Sequence, residues 1–402
     1  MNVITKVRLS TMMFLQFFIW GAWFVTMGTY LSKHLGAEGA QIAKAYETQA
    51  IGAIIAPFII GLIADRFFSA QIILGALHLV GSGLMYMAAQ ATGFGGFYPY
   101  VLAYMVLYMP TLALVNSVSF KQMSDPSAQF AQVRLWGTVG WIVAGMLIGY
   151  VFLWEKEGAL KNTFYMAAGV SALLGLYSFT LPSTPPGNKG NNTTIRDILG
   201  LDALKLLNDR NYLVFFIASV LICIPLAFYY QNANLFLNDV GMPNAAGNMS
   251  WGQVSEVLFM LALPVFLKKY GIKKTLLLGM FAWVLRYLLF AFGDADSGIW
   301  MLFLGILLHG ICYDFFFVSG QIFTDYKAGD TIKSAAQGLI TLATYGLGML
   351  VGFRLAGWVY DSYQLAEGGY DWQAIWIVPA AIAGVVAILY WVSFKNEKIE
   401  TA

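Results

Sequence analysis

Twelve stretches of predominantly apolar residues run through this chain, at about 10–31, 41–64, 70–91, 97–120, 131–153, 163–181, 211–236, 247–268, 273–293, 298–323, 333–360 and 372–394. Each approaches or exceeds the roughly 20 residues a helix needs to cross a bilayer. In hydrocarbon every backbone N–H and C=O must be satisfied inside its own segment, so windows of this length leave the helix as the workable conformation. Only 11% of residues are charged and 59% are hydrophobic, whereas a water-soluble domain is about one quarter charged. The expected fold class is an all-α membrane protein of twelve transmembrane helices.

The longest polar interruption, Pro182 to Arg210, falls between the sixth and seventh windows. It opens on Pro182-Ser183-Thr184-Pro185-Pro186-Gly187-Asn188, a run of loop formers. From Ile195 to Leu207 its apolar residues return at helical spacing, which suits a helix lying on the membrane surface. Residues 1–181 are therefore expected to form one six-helix bundle and residues 211–402 a second, with 182–210 as a linker carrying a surface helix. Sixteen loop Lys and Arg residues, among them Lys6, Arg66, Lys121, Lys268, Lys269, Lys273 and Lys274, fall on one side of the membrane. Three, Lys33, Lys156 and Lys161, fall on the other. The positive-inside rule makes the richer side cytoplasmic, with both termini and the linker. The first window is too long for a signal-peptide core and reads as a retained span. Two six-span halves joined by a cytoplasmic linker are the plan of a transporter with its site at the repeat interface.

Polar groups inside the windows carry the functional expectations, since an intramembrane charge is expensive unless it has a partner or a role. Asp314 lies near the middle of the tenth window, in His309-Gly310-Ile311-Cys312-Tyr313-Asp314. Low dielectric disfavours a charged carboxylate, so a carboxyl in such a place can take and release a proton as its access changes. Gln253 and Glu256, three residues apart, share a face of the eighth helix and offer an amide and a carboxylate to hydroxyl groups. They can equally close a polar contact between helices, with Arg134 or Arg286 as partner. Arg134, Thr138 and Trp141 share one face of the fifth helix and form a guanidinium, hydroxyl and aromatic stripe suited to a planar, oxygen-rich ligand. The other reading has Arg134 snorkelling to headgroups. His309 serves as a ligand group or proton relay, or as a satisfied interhelical histidine.

Other classes find little support. A net charge of +2 without a basic cluster argues against nucleic-acid binding. The three histidines stand in separate segments, and no metal-ligand cluster, nucleophile arrangement or phosphate loop is visible. No enzyme activity, metal or cofactor is expected. Cys223 and Cys312 read as small packing residues.

Several stretches taken together resemble the bacterial nucleoside:proton symporters of the major facilitator superfamily. They are Phe14-Leu15-Gln16-Phe17-Phe18-Ile19-Trp20-Gly21-Ala22-Trp23, Val133-Arg134-Leu135-Trp136-Gly137-Thr138-Val139-Gly140, Gln253-Val254-Ser255-Glu256, Ala282-Trp283-Val284-Leu285-Arg286, Tyr313-Asp314-Phe315-Phe316 and Ser334-Ala335-Ala336-Gln337-Gly338. Gly61-Leu62-Ile63-Ala64-Asp65-Arg66 looks like a shortened superfamily loop signature, which implies that Asp65 and Arg66 brace a cytoplasmic gate. The resemblance implies the superfamily fold, with two six-helix bundles rocking about a central site. It also implies substrate contacts from Arg134, Gln253 and Glu256; the residues themselves add Asp314, with Glu256, as the expected proton-coupling groups and Tyr313 as a ring suited to stack under a base. The chain departs from the pattern at Ala227 and Tyr230, where a Gln and an Asn would align, and at His309, which replaces a tyrosine. Tyr230, Gln231 and Asn234 are the candidates left on that helix to read the base. The implied function is import of nucleosides with protons across a bacterial inner membrane, by a monomer embedded in lipid. The alternative is a proton-coupled carrier of a sugar or other hydroxylated metabolite on the same fold.

Overall fold

A computed structural model describes residues 1–59, 68–124, 126–185 and 201–397. The first half of the chain contains α1 (Val3–Gly21), α2 (Met27–Leu35), α3 (Gly39–Ile59), α4 (Ala70–Gln90), α5 (Phe94–Lys121), α6 (Pro126–Met146) and α7 (Lys161–Ser178). The second contains α8 (Arg210–Asp239), α9 (Ala245–Phe292), α10 (Ile299–Leu307), α11 (His309–Tyr313), α12 (Ser319–Thr341), α13 (Met349–Ser362) and α14 (Trp372–Ser393). The described residues form no β-strand; one isolated bridge pairs Gln364 with Tyr370. Nine helical stretches among them are long and apolar enough to cross a membrane.

One of these stretches holds two expected windows. α9 runs for 48 residues, which as a straight helix would reach about 72 Å, more than twice the hydrocarbon thickness. It breaks at Gly271, whose φ of 74° is open to glycine and costly for other residues. The windows at 247–268 and 273–293 thus occupy its two arms. α12 breaks likewise at Gly329 and Ile332. The first window behaves in the opposite way, since Ala22–Thr26 interrupts it between α1 and α2. A broken helix inside a membrane protein leaves backbone groups to satisfy. Here the Tyr46 hydroxyl accepts from Gly28 N at 3.0 Å and donates to Phe24 O at 2.9 Å.

The chain clusters into two compact units. One comprises Met1–Ala37, Lys44–Thr194 and Asn244–Ser250, and the other Glu38–Ala43, Ile195–Pro243 and Trp251–Ala402. Within the first, α1 and α6 cross through small residues. A Cβ at Gly140 would overlap the Phe14 carbonyl oxygen, and one at Gly21 would lie 3.0 Å from Trp141 Cα. Close backbone approach of this kind is how membrane helices gain packing where no hydrophobic driving force remains. The Ala246 N–H at the start of α9 donates to Glu155 Oε2 at 2.8 Å in the same unit.

Within the second unit, α9 and α11 approach at Gly310, where a Cβ would sit 2.6 Å from the Ser255 carbonyl group. The Gly310 N–H donates to Ser255 Oγ at 3.0 Å. The first amides of α3 are capped from far along the chain, with Gly39 N and Ala40 N donating to the Asp361 carboxylate at 2.7 and 2.8 Å. Of the expected surface helix, Ile195 to Gly200 lies outside the described residues. The rest is a 3₁₀ helix, Leu201–Asn208, whose Ala203 and Leu206 pack against Ala328, Ala336 and Leu339 of α12.

Candidate functional site

In the first unit the α1–α6 crossing sets the candidate face. Arg134, Thr138 and Trp141 are each partly exposed and lie along one stripe of α6. The Arg134 guanidinium sits 4.0 Å from the Phe17 ring centroid, a cation–π contact. Trp141 packs edge-on against Trp20 with ring centroids 5.5 Å apart. The two stretches Phe14–Trp23 and Val133–Gly140 therefore pack on one another, with aromatic rings of α1 supporting the polar side chains of α6. Behind this face lies a satisfied polar core. Gln16 Nε2 donates to Thr111 Oγ1 at 2.7 Å, and the two ring nitrogens of His78 lie 2.8 Å from Gln16 Oε1 and 3.0 Å from Ser171 Oγ. Buried and paired on both sides, His78 is structural.

In the second unit the polar residues of α8, α9 and α11 converge. Glu256 and His309 approach across the glycine crossing, with Nε2 of His309 at 3.7 Å from Glu256 Oε2. The Glu256 side chain keeps 14% of its surface exposed, whereas His309 keeps 4%. Gln253 is partly exposed one turn before Glu256. On its other edge His309 Nδ1 faces Arg286 Nη1 at 3.1 Å. Arg286 is wholly buried, and its guanidinium carbon lies over the Tyr229 ring, 3.5 Å from the centroid. The rings of Tyr229, His309 and Tyr313 form a loose stack, with centroids 5.6 and 5.9 Å apart. Tyr230 lies beside Tyr229 and within electrostatic range of Tyr313 and Glu256.

Asp314 begins a π-helical turn, Asp314–Val318, that follows α11 directly. Such turns insert an extra residue into the helical ladder and are frequent at functional positions. Among the described residues two others occur, Leu147–Val151 after α6 and Leu342–Gly348 between α12 and α13. Tyr313, the residue before the turn at Asp314, and Tyr345, inside the turn at 342–348, meet through their hydroxyls at 2.9 Å. Asp314 has no exposed surface, and neither carboxyl oxygen meets a hydrogen-bond partner among the described residues. Glu256 is within its electrostatic range. A fixed charge here would be uncompensated, so the surroundings fit a protonated carboxyl.

Within the second unit the structure thus brings together Tyr230, Glu256, His309, Tyr313 and Asp314; within the first, taken by itself, Arg134, Thr138 and Trp141 share one stripe of α6. Gln231 turns elsewhere. With its amide oriented to satisfy both ends, it donates to Phe353 O and accepts from Gly357 N of α13, each at 3.2 Å. Asn234 is buried one turn on, and the Asn238 amide donates to its backbone carbonyl at 2.9 Å. Asp65 and Arg66 lie outside the described residues. Among the described residues no group of three or more His, Cys, Asp or Glu side chains could hold a metal ion. Sequence reasoning offered Arg286 only as a structural partner, for Gln253 and Glu256 among others, and gave no role to Tyr229 or Tyr345. A lone arginine in the apolar run Leu276–Phe292 was the available signal.

Known proteins resemble this chain along nearly its whole length. The sequence model of the family described as "Nucleoside H+ symporter" matches residues 1–399. The protein YegT of Escherichia coli (strain K12) is 46% identical, over 98% of this chain and 95% of its own length. Xanthosine permease of the same strain is 36% identical, over 96% of this chain and 95% of its own. The crystal structure of the nucleoside transporter NupG superposes with a TM-score of 0.87 at 33% identity, covering 99% of this chain and 100% of that one.

Proposed function

The chain belongs to the nucleoside H+ symporter family, a family of multi-pass membrane transporters, and on that premise we propose that it imports nucleosides together with protons by alternating access. The observation that carries this reading is the buried Asp314 carboxyl, without a hydrogen-bond partner among the described residues, at a π turn beside the Glu256 cluster. A carboxyl so held is neutral while enclosed and can ionise only when water reaches it. Its proton is therefore tied to the conformational cycle. Glu256 and Gln253 bind the sugar hydroxyls, Tyr230 and Tyr313 present ring faces to the base, and Arg134, Thr138 and Trp141 contribute the other polar stripe. Asp65 and Arg66 brace the cytoplasmic gate. The halves 1–181 and 211–402 rock on the linker 182–210. The Lys and Arg bias supports an inner-membrane location with both termini cytoplasmic. The working form is a monomer in lipid.

One proton descending a 100 mV potential supplies about 2.3 kcal/mol, or roughly fifty-fold accumulation. The test is uptake of labelled nucleosides into liposomes holding the purified protein, at two external pH values, with sugars as competitors. Uptake is expected to rise as the outside is acidified and to be displaced by nucleosides alone. Absence of nucleoside uptake, or uptake indifferent to the proton gradient, overturns the reading.

A further inference from the structure

Between Arg286 and Glu256 lies a histidine whose two ring nitrogens face opposite chemistry. Arg286 Nη1 is 3.1 Å from Nδ1, and a guanidinium only donates, so Nδ1 must accept. In the neutral ring the proton then sits on Nε2. That nitrogen points to Glu256 Oε2, 3.7 Å away, which is beyond the 2.7–3.2 Å or so of a direct N–H···O bond. A donor and an anionic acceptor at this separation form a pair that a hydroxyl satisfies at once, accepting from Nε2–H and donating to the carboxylate. We propose that Arg286 is a positioning residue that fixes His309 as an Nε2–H donor, and that the His309–Glu256 pair reads a ribose hydroxyl of the transported nucleoside.

This rests on the nucleoside-transport reading and adds to it a specificity device. The device is rigid. Arg286 is wholly buried and clamped over the Tyr229 ring, and Tyr229 stacks on His309 with ring planes 28° apart. Gly252 leaves room for the imidazole, whose Cβ would lie 3.1 Å from a Cβ at that position. The ring is therefore held on four sides, by Arg286, Tyr229, Tyr313 and the α9 backbone, with its Nε2 edge turned to Glu256. Arg286 acts through His309 and touches no substrate itself.

The test has two arms. Nitrogen-15 spectra of histidine-labelled protein, compared with those of His309→Gln, assign the ring; the chain has only three histidines to separate. A proton on Nε2 is expected, and a ring protonated on Nδ1 overturns the inference. Binding is then measured for ribonucleosides and their 2′-deoxy and 3′-deoxy analogues. Wild-type protein should prefer the ribonucleoside over one deoxy analogue by about tenfold or more, the weight of a hydrogen bond to a charged group. Arg286→Met should lose that preference while its affinity for the deoxy analogue stays level, and Arg286→Lys should restore part of it. A merely structural arginine would lower both affinities together. Should Arg286→Met not fold, His309→Gln and His309→Leu make the same comparison, with glutamine keeping the preference and leucine losing it. Nucleoside binding that ignores both hydroxyls overturns the present inference alone. Failure of every nucleoside to bind wild-type protein overturns the proposed function.

Discussion

Asp314 and Glu256 stand in the same unit yet in different surroundings, and this separates their roles. Glu256 keeps part of its surface open and faces an imidazole, whereas Asp314 is enclosed without a hydrogen-bond partner among the described residues. An open carboxylate can meet substrate; an enclosed one is suited to hold a proton. Asp314→Asn mimics the protonated acid and should abolish accumulation against a gradient while leaving nucleoside exchange across the same liposomes. Accumulation at the wild-type level would remove Asp314 from the coupling. Glu256→Gln should instead weaken nucleoside binding itself, by about tenfold or more if a charged hydrogen bond is lost. Equal affinities in a binding titration would contradict that.

At the scale of elements, two features of the membrane helices make sharp claims. The α1–α6 crossing leaves no space for a side chain at Gly140, where a Cβ meets backbone and not a movable side-chain end. Gly140→Ala should therefore lower stability by about 1–3 kcal/mol, the range for overpacking. Gly83 of α4 has open space around it, so Gly83→Ala should be neutral or gain up to ~1 kcal/mol from helix propensity. Thermal melts of the two variants in detergent check the contrast. The interruption between α1 and α2 depends on one hydroxyl that serves both a donor and an acceptor of the backbone. Tyr46→Phe strands both groups and should destabilise by about 1–3 kcal/mol per stranded group. Faster amide exchange confined to residues near Phe24 and Gly28 would show it.

On the scale of the whole chain, residues far apart in sequence meet at the ends of helices. Lys327 reaches Asp209 at 3.0 Å and Glu397 at 2.5 Å, and Asn211 Nδ2 donates to Glu397 at 2.8 Å, so the C-terminal segment docks on the start of α8. Burial works against ionisation of Asp209, but the Tyr212 N–H and the Lys327 ammonium outweigh it and hold the carboxyl below its ordinary value. A depressed carboxylate contributes stability at neutral pH that fades as pH falls through its folded value. The Asp209 side chain is 44% exposed, so solvent screening keeps the contribution small. Acidification from pH 5 to about 2 should lower the melting temperature of the wild type more than that of Asp209→Asn. Identical slopes would exclude this pair as a source of pH dependence.

Much of the molecule was legible in the sequence for one reason, that hydrocarbon forbids unsatisfied backbone. The apolar windows therefore gave the helices, and the motifs from Phe14 to Gly338 gave the family. The same economy marked Arg134, Glu256 and Asp314, because a charge among apolar residues is costly wherever its helix points. Tertiary structure decided what helical periodicity leaves free, namely rotation and partnership. It turned Gln231 to the backbone of α13, put Tyr229 rather than Tyr230 against His309, and set a π turn at Asp314. It also gave Arg286 an imidazole for a partner, which fixes the side of that ring that carries the proton. Those outcomes depend on distances of a few ångströms between helices, set by glycines at crossings, and no spacing along a single helix encodes them.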